Sequence, residues 1–222
     1  MAGHVSEAMI RRLPGYYRHL RELEAAGVTQ ISSQELGERM HQTSSQIRQD
    51  INTFGGVGRQ GYGYDVKRLK EHIGRTLGLY QPHSLIILGA GSIGSAVVRY
   101  PTFSREGFET IAMFDVDEKK IGTELCGVPV LSMDELENFL REHQVDIAVL
   151  AVPAGVALET LNRLDRCGVT AVWNFAPTDL PHPDHMIVVN VHLSDSLQTL
   201  SYRMSQRAKA AAEGEGAPKD VD

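Results

Sequence analysis

The sequence predicts an α/β protein with two domains, and three observations carry that prediction. The first eighty residues contain short capped helices followed by a glycine-rich hairpin pattern, while the remainder alternates short apolar strands with helices. A G-x-G-x-x-G run, residues 89–94, stands at the first strand-to-helix junction of that remainder. We therefore expect an N-terminal winged helix-turn-helix domain (1–80) and a Rossmann domain with a doubly wound parallel sheet (81–194).

Capping residues predict the helices of the first domain. Ser6 precedes a short helix, and Pro14 suits the first turn of a second helix that Gly27 would end. Residues 32–35 and 43–46 both have the capping-box pattern, in which a hydroxyl and a Glu or Gln side chain each accept from a free backbone amide. Two short capped helices joined by a tight turn are typical of helix-turn-helix proteins.

The last of these helices, over residues 43–54, is predicted to read DNA. Its apolar residues would face the core, which leaves polar side chains that can meet phosphates and base edges in a major groove. Five glycines between residues 55 and 63 predict a thin hairpin, or wing, that can approach the sugar-phosphate backbone closely. The candidate DNA-binding residues are Ser44, Ser45, Gln46, Arg48 and Gln49 on the helix, with Arg59 and Gly61 in the wing.

The charge distribution supports this interpretation, although the formal net charge of −6 is unusual for a DNA-binding protein. Residues 1–80 hold 11 Lys and Arg against 8 Asp and Glu, whereas residues 81–222 hold 11 against 20. A mildly basic front half joined to an acidic back half indicates that one domain alone contacts nucleic acid. A plain helical bundle with a glycine-rich turn remains the alternative.

The G-x-G-x-x-G run predicts a dinucleotide site. Gly89 would permit the tight turn, Gly91 would let the backbone approach a pyrophosphate, and Gly94 would let helix and strand pack closely. A second strand over residues 110–114 ends in Asp115, whose carboxylate can accept from both ribose hydroxyls. Because a carboxylate repels a 2′-phosphate, the prediction is NAD(H) rather than NADP(H).

The strand–helix alternation continues towards the C-terminus. A third capping-box pattern lies at 132–135, and strands are predicted over 146–152, 171–176 and 186–193, with a helix over 154–167. Ligands of such sheets lie beyond the carboxyl ends of the strands. The candidate cofactor-binding residues are Gly89, Ala90, Gly91, Ser92, Ile93, Gly94, Asp115, Val116, Val152, Pro153, Asn174, Phe175, Ala176 and Pro177.

Asn174 has two interpretations. Its amide could hydrogen-bond the nicotinamide amide or its ribose, or it could serve as a turn former at the end of its strand.

A last helix is predicted over residues 195–210, followed by a disordered tail over 211–222. Since the helix has no obvious core left to cover, we expect it to pack on a partner subunit in a homodimer. Cys126 and Cys167 form no CxxC motif and are expected to be free thiols. No apolar run approaches the roughly 18 residues that span a bilayer, and no signal pattern opens the chain, so we expect a cytoplasmic protein without membrane contact.

The sequence predicts no catalytic residues and no metal site. A dehydrogenase needs a general acid or base beside the nicotinamide, and the five histidines of the back half lie at strand or helix ends, in a Pro-rich loop or alone on a strand. The cofactor itself is therefore expected to be the signal. Two alternatives stay open: an NAD-dependent oxidoreductase, and a CoA-binding regulator whose 3′-phosphate Asp115 would disfavour.

Over nearly all residues up to Met204, the chain resembles the Rex family of redox-sensing transcriptional repressors. The order and spacing of several segments carry the resemblance, namely 11–14, 16–18, 47–50, 55–64, 89–94, 114–117, 152–153 and 174–177. The resemblance implies a homodimer with a swapped C-terminal helix that binds inverted-repeat operator DNA when NADH is low. NADH would close the Rossmann domains on each other and release the operator, and NAD+ would compete without forcing release.

The resemblance also implies residues that couple the two domains. Arg12 and Tyr100 match family positions with this role, and His192 stands where the family usually has an Asp that pairs with them. A histidine cannot accept from Arg12 in the same way, so the coupling is expected to be weakened or rewired. Gln49 replaces a second basic residue of the recognition helix, which predicts a weaker phosphate contribution or an altered operator preference.

Overall fold

The computed structural model describes residues 6–53, 58–59 and 63–215, and the chain divides into two compact units, Met1–Pro82 and His83–Asp222. The division falls two residues after the boundary expected from the sequence. Each unit has its own hydrophobic core, and each is described by itself.

Among its described residues, the first unit combines five helices with a small antiparallel sheet. Its elements in chain order are α1 (Glu7–Ile10), α2 (Leu13–Ala25), β1 (Gln30–Ile31), α3 (Ser33–Met40), α4 (Ser44–Thr53), β2 (Gly58–Arg59), β3 (Gly63–Asp65) and α5 (Val66–Thr76). The strand order is β1-β3-β2, and β3 pairs antiparallel with both neighbours. This is the winged helix-turn-helix arrangement, with α3 and α4 as the helix pair and β2–β3 as the strands of the wing.

Local hydrogen bonds explain where these helices begin. The Ser32 hydroxyl accepts from the Glu35 amide, and the Glu35 carboxylate accepts from the Ser32 amide, so the predicted capping box of α3 is confirmed. The Thr43 hydroxyl accepts from the Gln46 amide at the start of α4. Ser6 occupies the N-cap of α1, but its side chain makes no capping hydrogen bond.

The ends of two helices also have local causes. Gly27 takes a left-handed φ of 76° directly after α2, as expected for a helix stop. The sequence pattern predicts a helix over residues 65–79. Helix α5 begins after Asp65, whose side chain accepts from the Arg68 amide, and it ends at Thr76, three residues earlier than predicted. The early end follows from Gly78, whose φ of 73° interrupts the helical path.

One cluster of buried side chains fills the first unit. It draws on α2, α3, α4 and α5 and on the small sheet, and its members are Leu13, Tyr16, Leu20, Leu23, Ile31, Leu36, Ile47, Ile51, Tyr64, Val66, Leu69 and Ile73. Each fully buried Leu or Ile contributes about 1.5–3 kcal/mol by leaving water. Of the positions predicted to face inward on α3 and α4, Leu36, Ile47 and Ile51 are buried and Met40 packs against the cluster while partly buried. The opposite side of α4 faces solvent.

The second unit is built on a seven-stranded sheet in the order β10-β9-β8-β4-β5-β7-β6. Its strands are β4 (His83–Leu88), β5 (Phe108–Asp115), β6 (Glu124–Leu125), β7 (Val128–Ser132), β8 (Ile147–Leu150), β9 (Ala171–Asn174) and β10 (Ile187–Asn190). All neighbouring pairs are parallel except β6–β7. The strand order reverses at β4, which places a ligand crevice at the carboxyl ends of β4 and β8.

Helices cover the sheet and continue beyond it. They are α6 (Ser92–Val98), α7 (Pro101–Arg105), α8 (Leu136–Glu142), α9 (Ala154–Arg166) and α10 (Leu193–Glu215), with a 3-10 turn at Met133–Glu135 before α8. Side chains from α8 and α9 pack with one face of the sheet, and side chains from α6 and α7 pack with the other. This is the doubly wound architecture expected from the sequence.

Several details differ from the sequence-based expectations. The β6–β7 hairpin and helix α7 were not expected, and Tyr100 begins α7 rather than ending α6. Ser132 does not form the predicted capping box, since its hydroxyl accepts from the Asp134 amide at the start of the 3-10 turn. Helix α10 begins two residues earlier than expected and runs to Glu215, so residues 211–215 are helical rather than disordered.

Two further expectations concern thiols and membranes. Cys126 and Cys167 are both free thiols, and burial raises the pKa of Cys167. Within the described part of the chain, no helix combines the length and the apolar character that crossing a membrane requires.

Candidate functional site

The loop between β4 and α6 requires two of its three glycines for packing. Gly89 has a left-handed φ of 101°, and a Cβ there would lie 2.3 Å from the Ala151 carbonyl oxygen. A Cβ on Gly94 would lie 2.0 Å from the Gly89 carbonyl oxygen. A Cβ on Gly91, by contrast, would meet nothing within 4 Å. The backbone at Gly91 is therefore open to a ligand, as the sequence predicts.

Asp115 ends β5 beside this loop, and its carboxylate is held by three donors. Oδ2 accepts from the Ala90 amide at 2.8 Å and from Lys120 Nζ at 3.0 Å, while Oδ1 accepts from the Asp117 amide at 2.9 Å. Burial by itself would raise the pKa of Asp115, but these hydrogen bonds outweigh it and hold the pKa below its ordinary value. The carboxylate is thus ionised and oriented before any ligand arrives.

Both features open onto a cleft of about 750 Å³ in the second unit. This volume falls within the range of about 300–1,000 Å³ that is usual for cofactor sites. Ten of the predicted cofactor-binding residues line it, namely Gly89, Gly91, Ser92, Ile93, Asp115, Val116, Val152, Pro153, Phe175 and Pro177. The structure therefore brings together residues from four strand ends that are far apart in sequence.

The remaining predicted residues, Ala90, Gly94, Asn174 and Ala176, do not line the cleft. Ala90 orients Asp115 through its amide, and Gly94 allows the helix to approach the strand. Asn174 is fully buried. Its Nδ2 donates to the Thr178 carbonyl and to Asn190 Oδ1, and its Oδ1 accepts from the Ala176 amide. Its amide thereby shapes the loop that carries Phe175 and Pro177, in line with the turn-forming alternative.

Sequence reasoning missed several lining residues. Lys120 follows Asp115 by five residues, and its proximity to the carboxylate was the signal that could have found it. The others come from elements that only the fold brings near, and they include Met133, Asp134, Glu159, Thr160 and Arg163. Arg163 donates to both carboxylate oxygens of Glu137 and to the Met133 carbonyl, so α8 and α9 are tied together at this wall.

The ionisable side chains that line the cleft are carboxylates, Lys120 and Arg163, and none is a histidine, cysteine or tyrosine. Among the described residues, no group of three or more His, Cys, Asp or Glu side chains could hold a metal ion.

The candidate DNA-reading residues lie on α4 as predicted. Ser45, Arg48 and Gln49 are exposed, and Ser44 and Gln46 are partly buried. The guanidinium of Arg48 donates to the Ser33 hydroxyl of α3 at 3.2 Å. Of the wing residues, Arg59 lies in β2 but its side chain is outside the described part of the structure, and Gly61 lies outside the described residues.

Arg12 and Tyr16 meet the buried Asp50 of α4 in a hydrogen-bond network of the first unit. Arg12 donates from Nε and Nη2 to the two carboxylate oxygens at 2.7 and 2.8 Å, and the Tyr16 hydroxyl donates at 2.8 Å. Gln46 Nε2 also donates to the carboxylate, at 2.8 Å. The candidate coupling residue Arg12 is therefore engaged within its own unit.

The other two candidate coupling residues lie in the second unit. Tyr100 is 55% exposed at the start of α7, with its ring 4.9 Å from that of Phe103. His192 lies between β10 and α10, and its Nε2 is 2.9 Å from Asp179 Oδ1. A carboxylate thus stands next to His192, although the residue itself is not acidic.

Comparisons with known proteins cover both units of the chain. Residues 80–178 match a family model described as a CoA binding domain, and residues 4–52 match one described as a putative DNA-binding protein N-terminus. The chain is 46% identical over 202 residues to the redox-sensing transcriptional repressor Rex of Thermoanaerobacter sp. (strain X514), covering 91% of this chain and 90% of that protein. Identity is 48% over 203 residues with Rex of Clostridium beijerinckii, covering 91% and 96% respectively.

Solved structures extend this similarity to the whole fold. A crystal structure of RSP in complex with β-NAD+ and operator DNA matches with a TM-score of 0.86 and 45% identity, covering 96% of this chain and 99% of that chain. RSP in complex with β-NADH matches with a TM-score of 0.87 and 43% identity, covering 94% and 98% respectively. Structures of RSP, which is described as a Rex-family repressor, therefore resemble this chain with either form of the dinucleotide bound.

Proposed function

The chain belongs to the Rex family of redox-sensing transcriptional repressors, and we propose that it represses transcription until NADH binds. The winged helix-turn-helix unit binds operator DNA, and the Rossmann unit binds NAD(H). One observation carries the proposal: a structure that is 45% identical over almost the full chain holds NAD+ and operator DNA together. The protein is a regulator rather than an enzyme, and the dinucleotide is its signal.

The cleft of the second unit supports NAD(H) as the ligand. In the proposed complex the pyrophosphate lies over Gly91, where the backbone is open, and the ribose hydroxyls of the adenosine half donate to Asp115. Phe175 and Pro177 form the opposite wall, near the nicotinamide, held in place through Asn174. The negative charge of Asp115 disfavours the 2′-phosphate of NADP(H).

The exposed side of α4 supports DNA binding. We propose that Ser45, Arg48 and Gln49 enter a major groove, that Ser44 and Gln46 lie beside them, and that Arg59 and Gly61 of the wing contact the backbone. An inverted-repeat operator requires two such helices, so we propose a homodimer. Helix α10 supports it, because its apolar side chains are more than half exposed in the single chain; these are Leu193, Leu197, Leu200, Tyr202 and Met204.

The proposed dimer exchanges α10 between subunits, so that these apolar side chains are buried against the partner. Arg12, Tyr100 and His192 are the proposed coupling residues, and Asp179 beside His192 supplies a nearby carboxylate. Because the operator is chromosomal DNA, we propose that the protein acts in the cytoplasm.

CoA is the second candidate ligand, because one matching family model is described as a CoA binding domain. CoA carries a 3′-phosphate on its adenosine ribose, where the proposed NAD(H) complex places Asp115. The carboxylate repels that phosphate, although Lys120 Nζ, at 3.0 Å, offsets part of the repulsion. Displacement of bound NADH by equimolar CoA would favour this alternative over the dinucleotide.

The decisive experiment is operator-binding anisotropy on an inverted-repeat duplex, titrated separately with NADH and NAD+. NADH must bind the released state better than the DNA-bound state in order to shift the equilibrium. Release by NADH but not by NAD+ is expected. Trp173 provides a second signal, because its ring lies 4.6 Å from Phe175 of the cleft and can transfer energy to bound NADH. Operator binding that ignores bound NADH would contradict the proposal.

A further inference from the structure

Among the described residues, two carboxylates are buried, Asp50 at 1% exposure and Asp115 at 8%. Asp115 belongs to the dinucleotide cleft. Asp50 lies on the recognition helix α4, on the side that faces the core of the first unit, and no step of the proposed function uses it. A buried charge is costly unless it is paired and hydrogen-bonded, so its presence on this helix requires an explanation.

The network around Asp50 satisfies both carboxylate oxygens. Oδ1 accepts from Arg12 Nη2 and Gln46 Nε2, and Oδ2 accepts from Arg12 Nε and the Tyr16 hydroxyl, all at 2.7–2.8 Å. Burial alone would raise the pKa of Asp50, but the hydrogen bonds from Arg12, Tyr16 and Gln46 outweigh it and lower the pKa. Burial and, after it, the hydrogen bond to Asp50 raise the pKa of Tyr16. The carboxylate is therefore ionised at neutral pH.

The donors come from two helices. Arg12 is the N-cap residue of α2 and Tyr16 lies in its first turns, whereas Gln46 lies one turn before Asp50 on α4. A bidentate Arg–carboxylate pair has a planar geometry that tolerates little rotation. The pair consequently fixes how α4 is turned about its own axis relative to α2. On the other side of α4, that rotation decides where Arg48 and Gln49 point.

Stability does not explain the pair. A buried ion pair can often be replaced by apolar residues of similar volume with no loss of stability, because desolvation of the two charges offsets their attraction. Ile47 and Ile51 on the same helix are buried in the apolar cluster of the first unit, so apolar side chains at the two positions would extend that cluster. What an apolar pair would lack is the directional geometry.

We propose that Asp50 is a positioning residue for operator recognition, which holds α4 in the rotation that presents Arg48 and Gln49 without touching DNA itself. Arg12, Tyr16 and Gln46 act through it. The inference rests on the proposed DNA binding by α4. It also gives Gln46, a candidate base-reading residue, a second role, since its side-chain amide is committed to Asp50.

The test is the double variant Arg12→Met/Asp50→Leu, compared with Lys70→Met/Glu24→Leu. Lys70 and Glu24 form an ion pair between α5 and α2 of the same unit, away from α4, so the control also removes one positive and one negative charge. Both double variants leave the net charge unchanged. Each is measured for its thermal unfolding midpoint, its affinity for the operator and its affinity for a scrambled duplex of equal length, all without NADH.

The expected result separates positioning from stability. The Arg12→Met/Asp50→Leu variant should unfold near the wild-type temperature and bind scrambled DNA as wild type does, but lose roughly tenfold to a hundredfold in operator affinity, the loss of one base contact or more. The control should keep both affinities. Wild-type operator affinity in a folded Arg12→Met/Asp50→Leu variant would overturn the inference, as would an equal loss for both duplexes.

A more conservative variant covers the case in which the double variant fails to fold. Tyr16→Phe removes one hydrogen bond to Asp50 and keeps the buried ring, so it should lower the ratio of operator to scrambled-DNA affinity by roughly twofold to tenfold. An unchanged ratio would contradict the positioning role. If wild-type protein itself failed to prefer the operator, the proposed function would fail instead, and the two failures are therefore distinguishable.

Discussion

In the proposed complex, Asp115 and Lys120 lie at the adenosine end of the cleft. Asp115 Oδ2 accepts hydrogen bonds from the Ala90 amide and from Lys120 Nζ. The carboxylate therefore binds the glycine-rich loop between β4 and α6 and also neutralises the charge of Lys120. Removal of the carboxylate would leave Lys120 without this partner, at the position where a 2′-phosphate would lie. The proposed selectivity for NADH over NADPH therefore involves two side chains, of which the sequence pattern revealed one.

We predict that Asp115→Ala weakens NADH binding by roughly tenfold or more, because hydrogen bonds to a charged group contribute about 1.5–3 kcal/mol. NADPH binding should improve relative to NADH, since the 2′-phosphate then meets Lys120 rather than a carboxylate. Isothermal titration with both dinucleotides measures the change. The variant Asp115→Ala/Lys120→Ala should lose the gain for NADPH, and unchanged selectivity in Asp115→Ala would contradict the ribose assignment.

Arg48 is the exposed cation on the recognition helix. We predict that Arg48→Ala lowers operator affinity by about 1–3 kcal/mol if the guanidinium reads a base, while NADH affinity stays at the wild-type value. The matched control is Arg75→Ala, which removes the same charge from an exposed position on α5 of the same unit. Fluorescence anisotropy gives the operator affinity. An equal loss in both variants would indicate a general charge effect rather than a contact by α4.

At the scale of elements, the sequence predicts best where the cause is local. The capping box of Ser32, the stop at Gly27 and the packing role of Gly94 all depend on neighbours within a few residues, and the structure shows each of them. The alternation of strands and helices likewise predicted the order of the Rossmann unit, because buried parallel strands are short and apolar.

Elements with unusual turn chemistry were not predictable in the same way. The β6–β7 hairpin turns at Cys126 and Gly127, which both have positive φ, at 53° and 82°. Asn-Gly or Asp-Gly normally marks such a turn, and a Cys at its first position gives no such signal. Helix α10 runs to Glu215, beyond the predicted end at residue 210, and the alanines in this segment favour the helix because Ala is the strongest helix former.

The residues of the candidate site show the same difference between local features, which the sequence predicts, and contacts that only the fold creates. Ten of the fourteen predicted cofactor residues line the cleft, because the G-x-G-x-x-G loop and the ends of buried strands can be recognised from the sequence. Thr160 and Arg163 were missed because α9 reaches the cleft only through the fold. The same is true of Asp50, whose partners Arg12 and Tyr16 lie on another helix, far away in the chain.

The contact between α8 and α9 provides a prediction at this scale. The Glu137 carboxylate accepts a hydrogen bond from Arg163. This hydrogen bond is the main cause that lowers the pKa of Glu137 from 4.5 to about 2. A carboxylate whose pKa is lower in the folded than in the unfolded protein stabilises the folded protein when the pH is above the pKa of the unfolded state. This stabilisation is lost as the pH falls through the pKa of the folded state. We predict that Glu137→Gln lowers the free energy of unfolding at pH 7 by on the order of 1 kcal/mol, because the side chain is partly exposed.

The deficit of Glu137→Gln should shrink as the pH falls from 4.5 towards 2, where the wild-type carboxylate becomes protonated. Denaturant titrations at several pH values measure it. Glu142→Gln, an exposed position just after on the same helix, should show a much smaller deficit. A Glu137→Gln deficit that stayed constant over this pH range would show that the ion pair is not its cause.

At the scale of the whole molecule, the two units carry different charges and different ligands. The mildly basic first unit attracts the phosphates of DNA, whereas the net negative charge of the second unit repels them. A regulator of this design needs two recognition helices at a fixed spacing, which a single chain cannot supply. Dimerisation is therefore part of the proposed function rather than an addition to it.

Helix α10 is the element that tests this requirement. Leu197 and Leu200 are 68% and 53% exposed in the single chain, and large apolar side chains grouped on a helix mark an interaction surface. We predict that Leu197→Asp/Leu200→Asp produces a monomer at micromolar concentration, measured by analytical ultracentrifugation, because carboxylates cannot be buried without partners. Operator affinity should fall by roughly a hundredfold or more, since one half-site is then bound without the other.

The matched control, Ser201→Asp/Ser205→Asp, adds the same charges at exposed polar positions of α10 and should remain dimeric. A stable dimer of the leucine variant, or a monomer that binds the operator at wild-type affinity, would show that α10 does not assemble the two recognition helices.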